Sequence, residues 1–328
     1  MDLLAEIRRP IEEELRDYRH IFEQTLQTDN SLLQMALNHL LKRQGKMMRP
    51  ILVLLVARYV GQDGPMPQSV LHAAVSLELL HTASLVHDDV VDESDRRRGQ
   101  KSVNALLDNK AAVLVGDFLL SKALFHAAQT GSQQVVTWVS ELGQTLSDGE
   151  LHQLANLDKT EVSEDDYFEV IRKKTASLFE TCALAGALLG GGEPADIDRM
   201  ARFGRSLGLC FQMRDDLLDF DNQHDTGKPA GNDLKEGKLT LPVIHALLTG
   251  ASKPMMDLAI KVRRGEASQP EIDRLLTYTL EKDGIEYTKK YMYKIESQAN
   301  GFLIQHEGRE DVTQSLVSYL KFVVGRDV

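Results

Sequence analysis

The chain has 328 residues, 42% hydrophobic and 27% charged, with a formal net charge of -11 at pH 7. That balance repels nucleic acid and anionic lipid, so neither is an expected partner, and an anionic substrate would have to be met by local cations or metal ions. The two cysteines, Cys182 and Cys210, stand far apart in apolar helical stretches, which fits buried thiols in a reducing compartment rather than a disulfide framework.

The opening stretch MDLLAEIRRPIEEELRDYRH is charged and amphipathic without an apolar signal core, so a cytoplasmic protein is expected. No apolar run approaches the roughly 20 residues that cross a bilayer, and no transmembrane segment is expected. No Pro/Gly/Ser-rich linker or charge block divides the chain, which predicts one large domain over residues 1–328. Apolar residues recur at helical spacing, as in SLLQMALNHLLKRQ and PILVLLVARYVG, while alternating strand-like runs are scarce, so the fold class is all-α. Pro50 suits the first turn of a helix and Gly61 and Gly64 its end; GGGEPADIDR, from Gly190 to Arg199, marks a break followed by a new start. ASLFETCALAGALLGG and ARFGRSLGLCFQMRDDLLDF are apolar on more than one face, as in helices surrounded by others. There is no repeat of solenoid length, but one acidic motif recurs.

That motif is Asp88-Asp89-x-x-Asp92, repeated as Asp215-Asp216-x-x-Asp219. Residues four apart share a helix face, and like charges so placed cost an isolated helix roughly a few tenths of a kcal/mol per pair. A solvated acidic helix end is the plain alternative. Against it stand the apolar neighbours (LELLHTASLV and SLGLCFQM) and the basic residues that follow each cluster. Carboxylate-only sites select hard cations such as Mg²⁺, which leave positions open for water and phosphate oxygens. Two facing clusters therefore read as a cage for a Mg²⁺-bridged diphosphate. Arg97 and Arg98 follow the first cluster, Lys228 and Lys238 the second, and Lys174 lies in RKKTASLF; together these forks and point charges suggest more than one diphosphate. Lys46 and Arg49 in RQGKMMRP stand at the entry to the helix near Pro50, a second candidate anion site. His81, Ser84 and Asp88 share one helical stripe.

The motifs GKMMRP, ELLHTASLVHDDVVDESDRRRG, LVGDFLL, GELHQL, KTASLFE, FQMRDDLLD and GNDLKEGKLTLP, in this order between Gly45 and Pro242, resemble those of the trans-prenyl diphosphate synthases. That family condenses an allylic diphosphate with isopentenyl diphosphate. Gln44 stands where members commonly carry a second glycine. The resemblance implies a single large antiparallel helix bundle around a deep central cavity, of isoprenoid synthase type, and a homodimer. It implies that Asp88 and Asp92 ligate two Mg²⁺ ions and Asp215 a third, with Asp89, Asp216 and Asp219 supporting. Arg97, Lys174, Lys228 and Lys238 would hold the allylic diphosphate, and Lys46, Arg49, His81 and Arg98 isopentenyl diphosphate. Thr175 and Gln212 would turn oxygen dipoles toward the developing allylic cation.

The growing product would run from Asp88 into the bundle past Ala83 and Ser84, both small. Related short-product enzymes commonly carry an aromatic residue at the place of Ala83, so the resemblance is to long-chain, octaprenyl-type synthases. The expectation is a product longer than geranylgeranyl diphosphate, around octaprenyl, made from farnesyl diphosphate for a quinone side chain. The alternatives are a short-chain farnesyl or geranylgeranyl diphosphate synthase, and a silent regulatory subunit, which would be expected to lose aspartates. A ferritin-like di-iron oxidase needs paired Glu-x-x-His motifs, and Glu78 to His81 is a single match. A class I terpene cyclase has no use for Lys46, Arg49 and His81.

Overall fold

The structure, a computed structural model, describes residues 3–42, 45–61, 64–97, 99–220, 231–304 and 309–325; Gln44, Arg98 and Lys228 lie outside them. In chain order, α1 (Leu3–Arg8) passes through a 3-10 turn into α2 (Glu12–Thr25), followed by α3 (Ser31–Leu41), α4 (Met48–Val60) and α5 (Gln68–Val91). A two-stranded antiparallel ladder, β1 (Arg96–Arg97) on β2 (Gln100–Lys101), precedes α6 (Val103–Leu106), α7 (Asn109–Gln129), α8 (Gln133–Asn156) and α9 (Glu164–Ile171). A π-helical turn over Arg172–Ala176 leads into α10 (Ser177–Leu189), then α11 (Pro194–Leu218), α12 (Asn232–Lys235) and α13 (Leu241–Leu248). α14 (Lys253–Arg263), α15 (Gln269–Glu281), α16 (Gly284–Ile304) and α17 (Glu310–Gly325) complete the chain. The all-α expectation holds, with that short ladder as the β structure among the described residues. The helix expected to begin near Pro50 begins two residues earlier, at Met48, and ends on Gly61.

The chain divides into two compact units. The first comprises Met1–Gln144, Leu178–Gly204 and Gln305–Ser318. Its centre is α4, in which Ile51 through Val56 are all fully buried, so this helix is apolar around its whole circumference because neighbours surround it. α5 is buried nearly as thoroughly and packs along α7. His87 of α5 packs against Gly116 of α7, where an added Cβ would lie 2.2 Å from its Nε2. Local chemistry sets the helix starts: the Asn30 side chain accepts from Leu32 and Leu33 N–H, and Asp108 Oδ1 accepts from Ala111 N–H at 2.7 Å.

The expectation that no apolar stretch reaches membrane-spanning length needs correction. By length and composition α5 and α7 both do, with 61% and 39% of their most apolar windows buried. For α5 that burial is the mark of a core helix, whereas α7 leaves Leu114 and Phe125 exposed.

The second unit comprises Thr145–Ser177, Arg205–Ile304 and Tyr319–Val328. α13 packs against α9, α15 and α16, and its Leu241, Val243 and Ala246 are fully buried. The Arg263 guanidinium donates to the carbonyls of Lys159 and Glu161, both at 2.8 Å, and pins the segment between α8 and α9. Cys182 and Cys210 are buried free thiols, as expected, and burial raises both, Cys210 to about 12.

Candidate active site

In the first unit the acidic cluster sits at the C-terminal end of α5. Asp88 and Asp89 occupy the last turn, and Asp92 caps it, its backbone N–H donating to the Asp88 carbonyl at 2.8 Å. This end of a helix carries the partial negative charge of the macrodipole, so three carboxylates here are disfavoured unless a cation joins them. The following segment closes over the helix end: Ser102 Oγ donates to the Ser94 carbonyl at 2.6 Å, and Asn104 Nδ2 to the Asp89 and Ser94 carbonyls at 3.2 Å. The ladder brings Arg97 back, its Nε 2.7 Å from Asp89 Oδ1. Asp89 is buried, which pushes its carboxyl above the ordinary carboxylate value; Arg97 opposes that shift.

His81, Asp89 and Arg97 line one cavity of about 930 Å³, including its space open to solvent, with Tyr18, Phe22 and Leu85 forming apolar wall. Gly45 and Met47 also line it, so the loop carrying Lys46 borders the same cavity. Met47 adopts the left-handed conformation (φ 54°), and the Lys46 carbonyl accepts from Arg8 at 2.9 Å. The Arg49 guanidinium lies 5.2 Å over the Phe179 ring, and its buried Nε has no hydrogen-bond partner among the described residues. One turn before the cluster, Ala83 is buried and Ser84 Oγ donates back to the His81 carbonyl at 2.9 Å.

In the second unit the repeated motif ends α11. Asp215 is exposed and Asp216 is buried in the last turn, again at the negative end of the helix. Asp216 Oδ2 accepts from the Tyr167 hydroxyl at 2.5 Å and Oδ1 from Gln212 Nε2 at 2.9 Å. Burial, aided by Asp215 and Asp219, pushes its carboxyl up to about 7 against those two hydrogen bonds. Asp219 lies just past the helix, and its oxygens accept from Asn232 N–H at 2.9 Å and Asp233 N–H at 3.1 Å at the start of α12. Lys238 Nζ is 2.7 Å from Glu236.

The π-helical turn sends three consecutive side chains to separate sets of partners. Lys173 reaches Asp148 at 2.7 Å and Glu169 at 2.9 Å, Lys174 reaches Glu150 and, at 3.0 Å, Gln153, and Thr175 Oγ1 donates to Gln212 Oε1 at 2.8 Å. α8 can come this close because residue 149 is glycine: a Cβ there would lie 2.8 Å from Lys173 Cβ and 3.0 Å from Lys174 Cγ. The motif GELHQL thus supplies a small residue for approach and two acceptors for Lys174. Those roles, and that of Tyr167, were not read from the sequence; the glycine directly before a Glu-x-x-Gln pair was the available signal.

Among the described residues no three His, Cys, Asp or Glu side chains form a ready-made metal cage. The donors at both helix ends are carboxylate oxygens, which suit a hard cation that takes one or two carboxylates and fills its remaining positions with water and phosphate oxygens. The residues fit Mg²⁺ in that manner.

The fold is that of the helical isoprenoid synthases. A polyprenyl synthetase family pattern matches residues 30–279. The chain is 36% identical over 303 residues to the octaprenyl diphosphate synthase of Haemophilus influenzae, covering 92% of this chain and 91% of that one. It is similar to the crystal structure of a geranylgeranyl pyrophosphate synthase from Bacteroides thetaiotaomicron, with a TM-score of 0.86, 42% identity, and coverage of 99% and 100% of the two chains. It also resembles a polyprenyl synthase from Caulobacter crescentus complexed with calcium and isoprenyl diphosphate, with a TM-score of 0.90, 28% identity and coverage of 99% and 98%. The chain belongs to the polyprenyl synthetase family, a family of prenyltransferase enzymes.

Proposed function

We propose that the protein condenses isopentenyl diphosphate with an allylic diphosphate, farnesyl diphosphate being the primer, to give a long-chain all-trans polyprenyl diphosphate of about octaprenyl length. The observation that carries this reading is the placement of both carboxylate clusters at the negative ends of α5 and α11, where bound cations would offset their charge. The calcium and isoprenyl diphosphate bound by the Caulobacter relative support a divalent cation acting with a diphosphate.

Mg²⁺, three ions held through Asp88, Asp92 and Asp215, would neutralise the departing allylic diphosphate. Asp89, Asp216 and Asp219 support those ligands. Lys174, oriented by Glu150 and Gln153, adds fixed positive charge to the same diphosphate together with Arg97, Lys228 and Lys238. Lys46, Arg49, His81 and Arg98 hold isopentenyl diphosphate so that its double bond faces C1 of the allylic chain. The allylic C–O bond breaks with its electron pair leaving on the diphosphate, and Thr175 and Gln212 oxygens stabilise the cation. The double bond then forms the new C–C bond, and the proton lost goes to the departed diphosphate, so no side-chain base is required.

The long product is supported by the small Ala83, by the Ser84 hydroxyl folded back on its helix, and by the name of the Haemophilus relative. A short-chain synthase is the second reading, favoured by the 42% identity to the geranylgeranyl pyrophosphate synthase. The exposed apolar side chains of α7, Val113, Leu114, Leu124 and Phe125, support a homodimer, and the compartment proposed is the cytoplasm. The test is incubation with farnesyl diphosphate and excess labelled isopentenyl diphosphate, with Mg²⁺ or chelator, followed by chromatography of products. Metal-dependent label in long chains is expected, and Asp88→Ala or Asp215→Ala should lower kcat by orders of magnitude. Absence of label with Mg²⁺ present overturns prenyl transfer, while products ending at geranylgeranyl overturn only the length.

A further inference from the structure

One unbroken hydrogen-bond chain in the second unit runs from α9 through α11 to the π-helical turn: Tyr167 to Asp216, Gln212 to Asp216, and Thr175 to Gln212. Its direction follows from the groups it joins: with Asp216 ionised the carboxylate accepts, the Tyr167 hydroxyl donating to Oδ2 and the Gln212 amide N–H to Oδ1. With its nitrogen held on Asp216, the Gln212 amide must present its oxygen on the opposite side, where it takes the Thr175 hydroxyl proton. The lone pairs of Thr175 Oγ1 are then its outward face.

We propose that Tyr167 is a positioning residue for catalysis, which through Asp216 and Gln212 fixes the direction in which Thr175 presents its oxygen. The inference rests on the cation-stabilising role given to Thr175 above and extends it to a residue that touches no substrate. Reversing the Gln212 amide would set its oxygen against Asp216 and turn its N–H₂ onto Thr175, which would then point its proton outward, toward the developing positive charge. An Asp216 carboxylate held in place by the Tyr167 hydroxyl opposes that reversal, since the amide oxygen would meet it with no proton between them. Removing the Tyr167 hydroxyl leaves Asp216 Oδ2, in a buried residue, short of a donor, and the Gln212 N–H, 2.9 Å from Oδ1 of the same carboxylate, can shift toward it and draw the amide oxygen out of line with Thr175.

The test is a double-mutant cycle on the full-length enzyme with kcat and both KM values measured for wild type, Tyr167→Phe, Thr175→Val and the double variant. Tyr167→Phe should lower kcat about tenfold with both KM values within about twofold, since only transition-state stabilisation is lost. In the Thr175→Val background the same change should cost clearly less than about tenfold, because the hydroxyl it directs is gone and only the Gln212 oxygen remains to be misplaced. Additive losses, or a folded Tyr167→Phe enzyme with wild-type kcat, overturn the proposal and leave the prenyltransferase reading intact. Normal turnover by Thr175→Val overturns both the proposal and the role given to Thr175, and a wild-type protein that transfers no prenyl group overturns the reading beneath them. Should Tyr167→Phe fail to fold, Gln212→Met cuts the same chain, and its effect on kcat must likewise fall short of additivity with Thr175→Val.

Discussion

Arg97 reaches from β1 to the last turn of α5 and sets its Nε 2.7 Å from Oδ1 of Asp89. The two partners differ in environment: the Asp89 side chain is 4% exposed and that of Arg97 37%. The carboxylate is therefore the desolvated member, and it depends on the guanidinium for its charge to be tolerated. Arg97→Met should cost about 2 kcal/mol of stability, less than for a fully buried pair because solvent can approach the vacated side. Adding Asp89→Asn removes the charge and should restore most of that loss. Urea unfolding of the three proteins measures the coupling, and a double variant as unstable as Arg97→Met alone would show that Asp89 is not the group the arginine sustains.

Gly149 permits the approach of α8 to the π-helical turn. A methyl group there meets Lys173 Cβ at 2.8 Å, a distance real Cβ atoms do not adopt, so Gly149→Ala must push the two segments apart. Lys174 then loses its register with Glu150 and Gln153. Overpacking of this kind costs about 1–3 kcal/mol. The expected result is a lower melting midpoint and a kcat/KM for the allylic substrate reduced about tenfold, with the KM for isopentenyl diphosphate little changed. Equal loss toward both substrates would mean that the displacement spreads beyond Lys174.

The helices and both Asp motifs were legible because their signals are local: a 3.6-residue apolar period in α5 and carboxylates four apart at its end. Tyr167 was not, because its partner Asp216 lies 49 residues on and nothing in either neighbourhood announces the contact. The π-helical turn was also hidden. In a regular helix Lys173, Lys174 and Thr175 would be separated by the ordinary 100° step, and no sequence pattern marks the wider turn that lets each find its own partner. Asp92 and Asp219 each lie one residue past the helix that carries the motif, and the contact of the Asp219 carboxylate with the backbone N–H groups at the start of α12 has no signal in its spacing from Asp215. The apolar length of α5 was underread because its acids and histidines interrupt an otherwise continuous run.

His126 supplies a pH dependence remote from the acidic motifs. Thr25 donates its proton to the Ile21 carbonyl at 2.7 Å, so it accepts from His126 Nε2 at 2.8 Å; the remaining His126 nitrogen, 2.9 Å from His72 Nδ1, must accept from that ring. Burial, with smaller contributions from His72 and Lys122, lowers His126 from 6.5 to about 4. The folded state thus favours the neutral ring. Its stabilising effect is fully present above about pH 6.5 and is lost as pH falls toward 4, where the unfolded chain binds the extra proton, at no more than about 1.4 kcal/mol per pH unit. His126→Gln should be less stable at neutral pH and should show a shallower decline between those limits. Parallel pH profiles of unfolding free energy for the two proteins would refute the assignment.

Ala83 is the position from which product length can be tested. It lies one turn before Asp88 on α5, 2% exposed, and the neighbouring Ser84 hydroxyl is folded onto the His81 carbonyl, so neither side chain extends far from the helix. If the prenyl chain grows past this turn, Ala83→Tyr places a ring in its way without altering any carboxylate of the metal site. The product distribution from farnesyl diphosphate should then move to geranylgeranyl diphosphate, while the rate of the first condensation stays within a few fold of wild type. Because Ala83 is buried, the ring must either enter the cavity or displace packed neighbours, and these outcomes separate by stability. Entry leaves the melting midpoint nearly unchanged, whereas displacement costs about 1–3 kcal/mol and lowers it by several degrees. A stable Ala83→Tyr enzyme that still makes the wild-type product would show that the chain does not pass this turn, and the length-setting residue would have to be sought elsewhere along its path.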